Sequence, residues 1–283
     1  MTDTQTIQLP QGPIAVQQRG QGAPIVFVHG LAVDGSLWRK VTPSLDGAFR
    51  CVVPTLPLGA HRQPMSAGFE RSPRGVAHLL ADLLGELELE DVTLVANDTG
   101  GAITQLLISE RPERVGRVVL TNCDCYENFL PLAFRPMQWI ARVPGLTGLL
   151  LRPSRRAWVR RLSFAPLMKH GSDPEVLAQW SEPARTDPAI RADLVAFLRA
   201  IDKRDTLAAA ERLRTYPRPV LLAWASEDRF FKLRWAQRLA ADLPHARIEE
   251  IPDCHAFVPE DRPARLADLI AAFVRETQGA PVA

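Results

Sequence analysis

The chain has 283 residues, 46% hydrophobic and 23% charged, enough to bury the core of one large domain with a smaller insertion. A formal net charge of +2 gives no overall field toward nucleic acid or anionic membrane, so neither is expected as a partner. Four cysteines (Cys51, Cys123, Cys125, Cys254) make no disulfide framework in a chain this long, and the N-terminal MTDTQTIQLP has no signal-peptide pattern. With no apolar run near the roughly 18 residues of a membrane span, the expected setting is the reducing cytoplasm.

In chain order, IQL and PIAVQQR within 7–19 read as strands, followed by a turn at 20–22 and the buried strand PIVFV. After His29-Gly30 the spacing predicts a helix-like stretch from Trp38 to Leu45, then the strand FRCVVP. Residues 73–88 open on Pro73 and place Val76, Leu79, Leu80, Leu83, Leu84 and Leu87 at helical spacing. DVTLVA (91–96) is the next strand, Gly100 to Glu110 a buried helix, and RVVLTN (117–122) a sixth strand. Strand–helix alternation of this kind predicts an α/β fold, a mostly parallel sheet with helices on both faces. It stops near residue 126 and resumes near 218, with PVLLAWA, a helix at 233–242, RIEEI and a helix at 263–276. The expected organisation is a core of 1–125 and 216–283 with a helical cap of 126–215 inserted, and a frayed tail QGAPVA.

The chemistry concentrates in LVANDTGGAITQLL (94–107). A strand, a sharp turn and a helix follow one another there, and Ala96 and Gly100 stand two residues either side of Asp98. This is the small-x-nucleophile-x-small pattern of a nucleophile elbow, which needs small residues because the strained turn packs between strand and helix. Taken alone, Asp98 also reads as a helix N-cap before a Gly-Gly turn. The segment Pro64 to Gly68 mimics the pattern around Ser66 but has no strand before it. Past the end of PVLLAWA comes Asp228, and past RIEEI comes His255 in the loop PDCHAFVPED. Each alone has a plain alternative, a turn aspartate and a core histidine. Together they place nucleophile, acid and histidine at the strand ends where open parallel sheets bind ligands. Cys123, Cys125, Cys254 and His255 are an alternative zinc set, disfavoured because C-x-C is not the usual knuckle spacing, so no metal is expected.

On these motifs the chain resembles the α/β-hydrolase superfamily over nearly its whole length. Asp98 in the place of serine makes it similar to the haloalkane dehalogenase and epoxide hydrolase branch. The resemblance implies Asp98 as nucleophile, His255 as general base, Asp228 as its orienting acid, and the N–H groups of Leu31 and Thr99 as oxyanion hole. It also makes Asp124, after the sixth strand in TNCDCYENF, the alternative acid. An aspartate that attacks an sp3 carbon forms an alkyl ester, which water opens at the carboxyl carbon; a serine would form an inert ether. An epoxide or alkyl halide is therefore the implied small-molecule substrate, with no cofactor. Thr99 stands where the dehalogenases carry a halide-holding tryptophan, and Leu31 where they carry an asparagine. Epoxide hydrolases use cap tyrosines, and Tyr126 at the cap's start is a candidate, which tips the expectation toward epoxide ring opening. His29, Trp38, Trp139, Trp158 and His170 complete the substrate-contact candidates, with packing the simpler reading of the tryptophans. Arg152, Arg155, Arg156, Arg160 and Arg161 read as a solvated cap face, with an acidic substrate the alternative. A dehalogenase, a non-hydrolytic enzyme and a ligand-binding protein on the same scaffold stay open as alternatives. Nothing in the sequence fixes an oligomeric state.

Overall fold

Eight strands hydrogen-bond in the order β1-β2-β4-β3-β5-β6-β7-β8. They are β1 (Asp3–Leu9), β2 (Gly12–Arg19), β3 (Ala23–Val28), β4 (Phe49–Pro54), β5 (Val92–Asp98), β6 (Val115–Cys123), β7 (Val220–Ala225) and β8 (Ala246–Ile251). β1 and β2 form an antiparallel hairpin, β2 pairs antiparallel with β4, and all later pairs are parallel. The computed structural model describes residues 3–278; most of the tail expected to fray, from residue 279 on, lies outside the described residues. β6 and β7 are buried along their whole length and β5 up to Asn97, as strands covered on both faces must be. The coverage comes from α1 (Pro73–Glu86), α2 (Thr99–Glu110), α9 (Leu233–Asp242) and α11 (Pro263–Thr277), with a one-turn α10 (Val258–Asp261) before the last. α1 starts where Ser72 accepts from the Gly75 N–H and Pro73 occupies the first turn, as the sequence pattern requires.

One element differs from expectation. The helix-like stretch 38–45 is two separate 3-10 turns, Gly35–Trp38 and Thr42–Ser44. Asp34 caps the first through the Ser36 N–H, and Pro43 opens the second, so no continuous helix spans the two. The apolar spacing that looked helical is real, because Leu37, Trp38, Val41 and Leu45 all reach the core.

Residues 126–215 carry α3 (Arg135–Arg142), α4 (Leu146–Leu151), α5 (Ala157–Phe164), α6 (Pro174–Thr186), α7 (Pro188–Ala200) and α8 (Lys203–Leu213). α8 packs on α2 beside α1, whereas α3 to α7 pack mainly on one another. Two buried aspartates tie that group to the core. Asp34 accepts from Gln179 Nε2 at 2.8 Å and Trp180 Nε1 at 3.2 Å, both on α6. Asp193 of α7 accepts from Met65 N at 2.9 Å, from His61 Nε2 at 3.1 Å and from Arg71 Nε. His61 Nδ1 faces the Gly59 N–H, so the ring proton sits on Nε2, pointing at Asp193.

One close crossing lies where α2 starts beneath β3. A Cβ on Gly100 would stand 2.5 Å from the Val28 carbonyl oxygen and 2.6 Å from that of His29. Backbone has to move to admit it. Gly100→Ala is expected to lower unfolding free energy by about 1–3 kcal/mol, read as a lower urea midpoint at unchanged m-value.

Candidate active site

β3 lies between β4 and β5, so the chain leaves its C-terminal end toward one neighbour and returns from the other. Such a switch point opens a crevice above the strand ends. Into it turns Asp98, the last residue of β5 and the cap of α2, with φ +56° and ψ −134°. This is a conformation L-residues avoid, at a cost on the order of 1–3 kcal/mol. The neighbouring loop fits around it: a Cβ on Gly30 would lie 2.1 Å from Asp98 Oδ2. The next N–H, that of Leu31, donates to the same oxygen at 2.9 Å. Burial pushes the Asp98 pKa up to about 6, opposed by the Thr99 and Leu31 N–H groups.

His29 builds this loop and is not a substrate contact. Its Nε2 accepts the Leu56 N–H at 2.8 Å, which leaves the proton on Nδ1, 2.9 Å from the Gly30 carbonyl oxygen. Burial lowers its pKa to about 4, so the ring is neutral and its tautomer fixed.

His255 follows β8, and its backbone N–H donates to Asp261 Oδ2 at 3.0 Å. The same carboxylate accepts from Lys169 N at 2.8 Å and His170 N at 2.9 Å, so it joins the histidine loop to the segment before α6. His255 Nδ1 is buried and has no partner among the described residues. Asp228, after β7, accepts from Asn122 Nδ2 at 2.9 Å and Phe230 N at 2.8 Å. Burial raises its pKa, opposed by these donors and more weakly by His255. Acid and histidine thus stand in electrostatic reach without a closed hydrogen bond; such bonds often tighten only when substrate is bound. Asp124 lies beneath the elbow, accepts the Thr99 hydroxyl at 2.9 Å, and makes no contact with His255. Burial beside Asp98 holds its carboxyl well above the usual carboxylate range.

Above Asp98 lies a cavity of about 240 Å³, floored by Leu31, Asp98 and Thr99 and roofed by Phe134, Leu151, Phe164 and Trp180. Its wall holds few polar groups, and most are spent. The hydroxyls of Ser154, Ser163 and Ser181 donate to helix carbonyls, and the Trp180 Nε1 donates to Ser36 Oγ at 2.8 Å. Arg160 is the exception. Its Nη1 is fixed by the carbonyls of Ser154 and Arg155 at 2.9 and 3.0 Å, while its Nε is buried without a partner among the described residues.

The other expected substrate contacts lie elsewhere. Trp38 is fully buried in the core, its ring 5.2 Å from that of Phe27. Tyr126 is buried too, but its hydroxyl donates to Asp242 Oδ2 at 2.8 Å and Arg238 covers its ring. Its partner lies on α9, so it offers the cavity no phenol. Trp139 and Trp158 are 65% and 62% exposed on the outside of the cap. His170 points to Asp253, 3.2 Å away. Trp38 thus packs in the core, the simpler of its two readings, while helical spacing, which does not say which face of a helix turns inward, could not decide for Trp139 and Trp158.

Two asparagines escaped the sequence reading. Asn97 donates to Thr121 Oγ1 and to the Ala256 carbonyl, both at 2.7 Å, and so ties the elbow to the residue after His255. Asn122 holds Asp228 and receives the Ala225 N–H at 2.6 Å. Each is an amide at the buried end of a strand, Asn97 one residue before Asp98 and Asn122 two before Asp124, and that placement was the available signal.

Comparison with known proteins places the fold. The chain is 26% identical over 273 residues to the cis-3-alkyl-4-alkyloxetan-2-one decarboxylase of Shewanella oneidensis, covering 92% of this chain and 84% of that one. It is 28% identical over 268 residues to haloalkane dehalogenase 2 of Mycobacterium tuberculosis, covering 92% and 91%. The crystal structure of haloalkane dehalogenase DbeA from Bradyrhizobium elkani superposes with a TM-score of 0.83 at 20% identity over 99% of this chain and 100% of that one, a likeness of fold. The alpha/beta hydrolase family profile matches residues 25–269. With sheet order, elbow and profile in agreement, the chain belongs to the alpha/beta hydrolase family of enzymes.

Proposed function

We propose that Asp98 is a covalent nucleophile which attacks an sp3 carbon of an apolar substrate whose leaving group departs as an anion, a halide or a ring carboxylate. The observation that carries this reading is the Leu31 N–H, 2.9 Å from Asp98 Oδ2 at the floor of an apolar cavity. That donor marks Oδ2 as the future carbonyl oxygen of an ester and leaves the other oxygen to attack. The carbon–leaving-group bond breaks as the carbon–oxygen bond forms, and the departing anion pairs with the guanidinium of Arg160 in the cavity wall. Water, giving its proton to His255, then attacks the Asp98 carboxyl carbon. The tetrahedral oxyanion is held by the N–H groups of Leu31 and Thr99, and its collapse expels the product as an alkoxide that takes the proton back from His255, after which the Asp98 carboxyl loses its own proton to solvent. Asp228 orients and charges-balances the imidazolium.

The preference for epoxides rested on Tyr126, whose hydroxyl is engaged by Asp242. An epoxide leaves as an alkoxide and needs a proton; a halide or carboxylate needs only a positive partner. Haloalkanes and β-lactones, the classes in the names of two relatives, both meet that condition.

Asp98 has to be ionised to attack, and its pKa of about 6 puts that ionisation within the working range. In His255→Ala, ester formation is expected to rise with pH through about 6 and then level off, followed by stopped-flow mixing and quench. The same shift has a stability sign. A carboxyl pKa raised from 3.8 to about 6 favours folding fully below 3.8 and loses that contribution as pH rises through 6. Asp98→Asn is therefore expected to be inactive yet more stable at pH above 7, by about 1–3 kcal/mol, with the gain gone in acid. Thermal melts at both ends of the range check it.

Intact-mass measurement tests the covalent step. His255→Ala incubated with a haloalkane is expected to gain the substrate mass less the hydrogen halide, and with a β-lactone the whole substrate mass. A whole-mass adduct from terminal epoxides alone would return the substrate to ring opening of an ether. Absence of any adduct with a substrate that the wild type turns over would remove covalent catalysis. Arg160→Met is expected to slow ester formation roughly hundredfold or more while leaving hydrolysis of a preformed ester nearly unchanged. Asp228→Asn is expected to impair hydrolysis far more than Asp124→Asn; the reverse ranking would move the acid to the end of β6.

A further inference from the structure

The net charge of +2 conceals a segregation. Between Glu127 and Asp173 the sequence contains no aspartate or glutamate, but seven arginines and one lysine. That segment carries +8, which leaves −6 for the rest of the chain. It forms α3, α4, a 3-10 turn at Arg152–Arg155 and α5, packed on one another in series. Their inner sides roof the cavity with Phe134, Met137, Leu151 and Phe164. Their outer sides are apolar as well. Leu132, Trp139, Leu149, Leu150, Trp158 and Leu162 are each at least 52% exposed, and among the described residues the large apolar side chains left exposed all fall between 132 and 162. Interspersed with them, Arg135, Arg142, Arg152, Arg155, Arg156 and Arg161 are exposed and take part in no ion pair among the described residues. Elsewhere arginines are commonly paired, as Arg74 is with Glu110 and Asp205.

We propose that the outer face of the cap docks on an anionic lipid surface, inserting its tryptophans and leucines between headgroups that its unpaired arginines neutralise. A large apolar patch exposed to water has an interaction to make. Exposed tryptophan and leucine on short helices, with arginine around them and no acid among them, match an interfacial helix rather than a protein contact rim. A second copy is a poor occupant. A symmetric dimer through this face would press one +8 segment on another, since a two-fold interface sets the same patch against itself. Anionic lipid supplies the charge that a second copy lacks. The expectation of no membrane partner, drawn from net charge, averaged over a surface that is not uniform. The same helices separate patch from cavity, so a docked enzyme would hold its roof against the phase in which an apolar substrate dissolves. The docking itself does not depend on the covalent reading of Asp98.

Vesicle flotation tests it with the full chain. Vesicles of phosphatidylcholine containing phosphatidylglycerol are expected to carry the protein at low salt, those of phosphatidylcholine alone far less, and added salt to release it. Replacing Arg155, Arg156 and Arg161 together by glutamine is expected to weaken binding roughly hundredfold at low ionic strength. Leu149→Ser with Leu150→Ser is expected to weaken it roughly tenfold in the presence of unchanged charge. Thermal melts of these surface variants report whether the fold is intact. Failure of the wild type to float at low salt overturns the proposal. So does flotation that both sets of variants leave unchanged, or sedimentation as a dimer that the same substitutions dissociate. Intact-mass adducts on His255→Ala are scored separately, so a failure of the chemistry and a failure of the docking are told apart.

Discussion

Everything at the strand ends depends on how closely two backbones approach beside Asp98. The strand-to-helix turn of Asp98 is strained, and it holds because Gly30 and Gly100 leave no Cβ in the two places where one would collide with it or with β3. That closeness brings the Leu31 N–H to Asp98 Oδ2. It also buries the carboxylate enough to raise its pKa. His29 fixes the loop by using both ring nitrogens on backbone groups. The position of one carboxylate is thus over-determined by parts that take no share in chemistry, which is how a strained residue survives in a fold of marginal stability.

The core was legible in the sequence because its signals are local. A run such as VTLVAND reads as a buried strand and TGGAITQLL as a helix whatever surrounds them, and β4 and α9 fall at the expected residues. The elbow was legible for the same reason, since its small residues and its aspartate lie within a few positions of one another. What failed was any inference that needed direction in three dimensions. Tyr126 follows β6 as expected, but a left-handed φ of +50° and the pull of Asp242 turn its phenol away from the cavity. Trp139 and Trp158 sit on cap helices whose two sides are both apolar, so periodicity could not tell inside from outside. Arg160 was one arginine in a cluster, and only packing separates it from its neighbours.

The polar groups inside the sheet follow a different logic. Asn97 and Asn122 donate their amide N–H groups to backbone carbonyls, to the Thr121 hydroxyl and to Asp228, while Asn97 Oδ1 is buried with no partner among the described residues. A buried amide is costly unless its partners are in place, and here several of those partners lie in the loops after β7 and β8. The two residues therefore convert the rigidity of the sheet into fixed positions for the loops that carry acid and histidine. Asp228 comes with its oxygens already engaged, while His255 Nδ1 has no partner among the described residues.

Asp261 gives that loop a second master. One buried carboxylate receives the backbone N–H groups of His255, Lys169 and His170, so the histidine and the stretch leading into α6 hang from a common bracket. In this chain a graft that ended anywhere between α5 and α6 would cut the bracket. The transplanted lid would arrive with its own backbone path at 169–170, and the imidazole would inherit whatever tilt that path imposed. If His255 acts as proposed, a chimera has to carry the segment 167–173 with the core rather than with the exchanged helices.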